Sequence, residues 1–203
     1  MSEINIMQQA LGEQWHELPP SLQAHYQQGA NMDIGALDID YPRPMQLLLN
    51  ILHLMGALLN RKGKAIPTKV EKVMKGTKQY WVRTIKFPDG KTLYFKSRWV
   101  YAGGNEVIEY VNPLLGLRMA VCVKGGQLFY EGVHYVIQLG RIRVPLPEWL
   151  ILGHTTIAER ELDETHFAMD FRLTHPMFGQ IYRYAGEFET RAINGDGGDF
   201  NDG

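Results

Sequence analysis

A chain of 203 residues, 45% hydrophobic and 11% aromatic, holds enough apolar material for one domain with a sizeable core. Its 21 Lys+Arg nearly balance 22 Asp+Glu, which excludes a global basic field for gripping nucleic acid. The single cysteine, Cys122, excludes an internal disulfide and favours a reducing compartment; within "RMAVCVKGG" it reads as a structural thiol at a buried strand position.

In chain order, the first third reads as helical. "MSEINIMQQALGEQW" lacks the basic start and apolar run of a secretion signal. Leu11, Trp15 and Leu18 recur at helical spacing until Pro19-Pro20. Ser21 is placed to cap a second helix through "LQAHYQQ", stopped by Gly29. "NMDIGALDIDY" reads as a strand or an extended connection. After Pro44 a long helix is expected, with Leu47, Leu48, Ile51, Leu52, Met55, Leu58 and Leu59 in a wide apolar stripe and Arg61, Lys62 and Gly63 at its end. Asn50 and His53 interrupt the run, which falls short of the roughly 20 residues that cross a bilayer. The stripe is expected to pack on the core, because a membrane-surface helix would carry more cations along its polar face. His53 falls at its border.

From Pro67 onward the pattern changes to period two. Strands are predicted over 68–75, 78–87, 91–101, 106–111, 117–124, 127–139, 155–162, 166–174 and 180–190, joined by polar turns such as "KGT", "PDG" and "AGGN". In "IRVPLPEWLILGH" two prolines exclude a central strand, and 148–152 suits a short helix. So many strands with tight connections curl and close to remove their edges. The expected class is α+β, mainly antiparallel β: a strongly curved sheet or closed β-barrel with N-terminal helices packed against it. One globular domain, 1–191, would hold a helical part over 5–63 and a β part over 67–190. The Gly/Asp-rich stretch from 192 to 203 is expected to be a flexible tail.

The chain resembles a bacterial family known as domain of unknown function 4166, in its free-standing form. The resemblance runs from "LGEQWHELPPSLQAHY" to "THPMFGQIYRYAGEF", with "KSRWVYAGGNEVIEYVNPLLGLRMAV", "GRIRVPLPEWLILG" and "FAMDFRLTHPMFG" in order between them. Other members resemble C-terminal partners of reductase-like domains. The family implies neither an activity nor catalytic residues, and the chain has no G-x-G-x-x-G turn after an opening strand.

Period-two faces supply the candidate site. Trp81, Arg83, Ile85 and Phe87 share one face; so do Phe95, Ser97 and Trp99, and again Phe129, Glu131, Val133 and Tyr135. Arg83, Glu109 and Glu131 are the charged exceptions on apolar faces, and each needs a partner or water. An ion pair is one account. In the other, Arg83 anchors the acidic group of a lipid-like molecule and Glu109 or Glu131 orients it, with Ser97 nearby. Trp81, Phe95, Trp99, Phe129 and Tyr135 then line the apolar part.

A second reading is an enzyme in which Glu109 and Glu131 meet and share a proton. A third is an accessory module serving a reductase-like or membrane-associated partner through the 47–59 helix. The remaining charges read as solvated: Arg98, the lysines 69, 72, 75 and 78, the loop pair Arg141 and Arg143, and the exposed turn around Glu159 and Glu161. His175-Pro176 is placed to cap the last hairpin turn. No H-E-x-x-H or G-x-S-x-G motif occurs, so neither metal nor cofactor is expected, and the chain reads as cytoplasmic without a transmembrane segment.

Overall fold

A computed structural model describes residues 5–27 and 30–192; the expected stop at Gly29 and the tail from 193 onward lie outside them. The described residues hold eleven strands: β1 (Asn31–Asp40), β2 (Gly63–Lys75), β3 (Lys78–Lys86), β4 (Thr92–Gly103), β5 (Glu106–Tyr110), β6 (Leu115–Lys124), β7 (Gln127–Leu139), β8 (Ile142–Leu146), β9 (His154–Glu161), β10 (His166–His175) and β11 (Gly179–Ala192). All pair antiparallel. β1 joins β11, and β6 pairs with β7 while β7 pairs with β9, so ten strands close into a barrel. Closure leaves no long exposed edge.

The eleventh strand, β8, explains the proline-rich interruption. β9 pairs with β7 only over Leu128–Glu131, and β8 takes the rest of that edge over Tyr135–Leu139. Pro145 is tolerated there because β8 pairs on one side only. "NMDIGALDIDY" is a full strand, β1, lodged between β2 and β11.

The N-terminal segment plugs one end of the barrel. α1 (Ile6–Leu11) starts where the Gln8 backbone N–H donates to Asn5 Oδ1 at 2.6 Å. Gly12, at φ 55°, breaks the predicted continuous helix into a 3-10 stretch over Gly12–Glu17, yet Leu11, Trp15 and Leu18 are all buried as their spacing requires. α2 (Pro20–His25) follows. Its first-turn position belongs to Pro20, so Ser21 does not cap it; the Ser21 hydroxyl donates to Glu161 Oε2 at 2.9 Å and ties α2 to β9.

At the other end the 40–63 connection carries α3 (Gln46–Leu54), shorter than expected because Met55 and Gly56 turn the chain. Only Leu49 and Leu52 of this helix are buried; Leu47, Ile51 and Leu54, spaced i, i+4, i+7, face outward. The expected core stripe is realised only in Leu52, Leu58 and Leu59; Leu47, Leu48, Ile51 and Met55 stay exposed. Strand side chains already fill the barrel, and a helix across its mouth can bury one side alone.

α4 (Glu148–Ile151) closes the same end from β8. Its buried Glu148 accepts the Thr155 N–H at 3.1 Å and bonds His154 Nδ1 at 2.6 Å, while His154 Nε2 meets Glu131 at 2.9 Å. Burial pulls the His154 pKa down, but the two carboxylates outweigh it and hold the value above the ordinary one. A Cβ on Gly132 would lie 1.8 Å from Glu148 Oε1. Gly132→Ala is therefore expected to evict the carboxylate and destabilise the fold by about 1–3 kcal/mol in denaturant titration, the cost of orphaning a buried bonded group. Adding it to Glu148→Ala should cost little more, since both remove one interaction.

Candidate functional site

The barrel interior contains a column of polar groups. Nearest the plug, three strands converge in register. Asp33 of β1 stands opposite Val70 of β2, two positions from Lys72, and opposite Thr190 of β11. Lys72 Nζ lies 2.7 Å from Asp33 Oδ2, 2.8 Å from His25 Nδ1 and 2.6 Å from the His25 carbonyl; Thr190 donates to Asp33 Oδ1 at 2.9 Å. His25 hangs from the end of α2, where Asn31 Nδ2 donates to the carbonyls of Ala24 and His25 at 3.0 Å. All three charged or titratable side chains are buried.

Burial lowers the His25 pKa to about 4, against the pull of Asp33, so its imidazole is neutral at pH 7, with Nδ1 set between Lys72 Nζ at 2.8 Å and Asp33 Oδ2 at 3.0 Å. Burial also lowers the Lys72 pKa, opposed by Asp33. It works to raise the Asp33 carboxyl, but His25 and Lys72 overcome it and hold that group well below the ordinary range.

Beside this triangle runs a hydrogen-bonded chain. Tyr26 donates to Glu159 Oε2 at 2.7 Å and makes a short hydroxyl contact with Tyr130. Burial raises the Glu159 pKa to about 7, with Tyr26 and Lys72 pulling the other way. The interior holds the cations Lys72 and Arg83 and the carboxyls Asp33, Glu109 and Glu159. A proton on Glu159 makes that set neutral.

Further along, Arg83, Ser97 and Glu109 lie on β3, β4 and β5, where the register sets Trp81 against Ser97 and Trp99 against Glu109. The guanidinium donates to Ser97 Oγ at 2.9 Å and to Glu109 Oε1 at 3.2 Å, using two of its five donors. The rings of Trp81 and Phe95 each lie 5.0 Å from its carbon.

Two small chambers flank the pair. One, of about 30 Å³, is walled by His25, Asp33, Trp81, Arg83, Glu159 and Tyr184. Its Trp81 Nε1 and His25 Nε2 are buried and meet no acceptor or donor among the described residues. The other, of about 60 Å³, lies toward α3 and α4 and is walled by Leu58, Phe95, Glu109, Leu117, Leu152 and Leu173, with Tyr184 common to both.

The sequence candidates divide accordingly. Arg83, Glu109, Trp81, Phe95, Ser97, Trp99 and Tyr135 all point inward. Phe129 and Glu131 do not. A bulge where β7 passes Arg118 and Met119 inserts Val133, so Leu128 and Tyr130 are buried before it and Tyr135 after it. One extra residue exchanges the faces. Glu131 is an exposed partner of His154 and cannot share a proton with Glu109.

Other assignments change too. Lys72, expected on a solvated edge, is buried; Glu159, expected on an exposed turn, is buried on the face of Thr155 and Ile157. Arg98 stacks over Tyr110, 4.7 Å from its ring, on the outer wall. Cys122 is half-buried beside the inward Val121 and Val123. His175 does cap its turn, accepting the Met177 N–H at Nδ1. Period-two counting from Val70 or from Ile157 would have placed Lys72 and Glu159 inside. Counting from Leu37 and Ile39 would have done the same for Asp33, and from Leu128 for Tyr130; His25 and Tyr26, at the end of α2, carried no such signal.

No helix among the described residues is long and apolar enough to cross a membrane. No curated protein matches the chain. A family model described as Domain of unknown function (DUF4166) matches residues 18–188, from the end of the first plug helix pair into β11, and so covers β1 to β10, most of β11, and every charged residue of the two interior polar groups. The chain, with its plugged barrel and polar interior, belongs to the DUF4166 family.

Proposed function

We propose that the barrel binds a lipid-like amphiphile through its α3/α4 end, with the polar head at Arg83 and Glu109. The observation that carries this reading is the inner wall of the 60 Å³ chamber, where an otherwise apolar enclosure ends on the Glu109 carboxylate. Arg83 keeps donors in hand beyond those bonded to Ser97 and Glu109. Together the pair offers both a donor and an acceptor to a head group. The chamber is far below the roughly 300 Å³ of a typical ligand pocket, so the head and first carbons enter while the chain runs out past Leu58 and Leu152.

Calorimetric titration with decanoic acid, a lysophospholipid, a monoacylglycerol and an alkylamine tests this. One of the four is expected to bind saturably at one site. Arg83→Met, which keeps much of the side-chain volume, and Leu117→Phe, which fills the chamber, should each weaken it at least about tenfold, the loss of one charge-assisted bond or of the space itself. Affinity unchanged by both variants, or no binding by any of the four, overturns the reading.

A further inference from the structure

The apolar side chains most exposed to solvent are concentrated at one end of the barrel. They come from α3 (Leu47 and Leu54, 73% and 87% exposed), the β8 hairpin (Ile142, 67%), α4 (Trp149, 61%) and the β10–β11 turn (Phe178, 69%). These segments neighbour one another. Asn112 of the β5–β6 turn donates to the Met55 carbonyl at 2.8 Å, His175 Nε2 meets the Trp149 carbonyl at 3.1 Å, and the His175 ring stacks on Phe178 at 4.8 Å. At the plugged end the turns are polar: "KGTK", "GGNE" and "KGGQ".

Charge accompanies the apolar tips. Arg141 and Arg143 alternate with Ile142 and Val144, and Arg43 precedes α3; all three are exposed, and none has an ion-pair partner among the described residues. At the same end the carboxylates of Asp40 and Asp89 are taken by Lys62 and Arg61, and Glu148 is buried against His154. The free charge of this face is cationic.

We infer that this end of the barrel docks on the surface of an anionic lipid bilayer. Separate tips with polar gaps between them suit a fluid interface, which moulds around each, better than a protein surface, which needs one continuous complementary patch. An outward Trp and Phe at the headgroup level, with interspersed arginines, is the chemistry of interfacial attachment. Docking deepens the proposed function: a lipid head would enter the 60 Å³ chamber while its chain stays among the tips.

The test is flotation of the full chain with phosphatidylcholine vesicles made with and without phosphatidylglycerol. The protein is expected to float with the anionic vesicles and to be released by high salt. Leu54→Asp and Phe178→Asp should each lower partitioning at least about tenfold, the loss of one inserted apolar side chain. Both positions are exposed, so folding should survive; a thermal melt checks it. Arg141→Glu with Arg143→Glu should abolish the preference for phosphatidylglycerol. Leu54→Asp should still bind the soluble amphiphile of the calorimetric titration with wild-type affinity, which separates docking from head-group recognition. No flotation, flotation unaffected by the aspartate variants, or a concentration-dependent dimer that those variants dissolve overturns the inference.

Discussion

Asp33→Ala is expected to cost the fold about 3–5 kcal/mol, read as a lower midpoint in denaturant titration at pH 7. The reason is what remains. Lys72 Nζ, fully enclosed, would keep only the His25 ring nitrogen and carbonyl at 2.8 and 2.6 Å, and lose the one anion that justifies its charge. It would have to shed its proton or draw water into the barrel. Thr190 would lose its acceptor as well.

The companion variant decides whether the triangle acts as a unit. Lys72→Met alone should cost a similar amount by stranding Asp33. Combined with Asp33→Ala, it removes both charges, and the double variant should be more stable than Asp33→Ala alone, because no uncompensated ion is left. Additive losses would mean that the two side chains contribute separately. A loss under about 1 kcal/mol for Asp33→Ala would mean that water reaches the site.

How far the sequence could be read depends on the range of the interaction concerned. Period-two alternation is local, and it placed Trp81, Arg83, Phe95, Ser97, Trp99 and Glu109 inside together; the barrel then follows from strand number and short turns. The apolar spacing Leu11, Trp15, Leu18 likewise marked the plug before its helix was broken at Gly12. What was not legible depends on closure. The β1–β11 and β7–β9 pairings join segments far apart in the chain; they bring Asp33 to Thr190 and Glu159 opposite Leu128, and the packing of α2 then brings Tyr26 to Glu159. The bulge at Val133 is a single inserted residue with no compositional mark, and it moved Phe129 and Glu131 to the outer wall. The α3 stripe misled for another reason: apolar periodicity reports a surface that avoids water, and leaves open whether protein or lipid covers it.

Glu159 and His25 should make the acid side of the stability curve separable by mutation. Glu159 titrates near pH 7 in the barrel against 4.5 ordinarily. A raised value means the folded state holds the proton more tightly, so this contribution is complete below pH 4.5 and fades as pH rises to 7, by roughly 3 kcal/mol. His25 does the reverse. Its folded value of about 4 lies below the ordinary 6.5, so its contribution is complete above pH 6.5 and is lost toward pH 4, by a similar amount. Between about 4.5 and 6.5 the two slopes oppose, and wild-type stability should change little on their account. Glu159→Gln keeps the shape and a hydrogen-bonding oxygen for Tyr26 but cannot ionise. Relative to wild type it should gain stability as pH rises from 4.5 to 7, and its own curve should fall steeply from pH 6.5 to 4, exposing the histidine. Of the groups facing Glu159, Tyr26 and Tyr130 are pushed above their ordinary range and Asp33 is held below its own, so these three keep their protonation state across this window, and the difference curve reads the carboxyl. Denaturant titrations of both proteins at half-unit pH steps measure it. A flat difference curve would place the Glu159 carboxyl in contact with water, and the barrel interior would then need no proton to balance its charge.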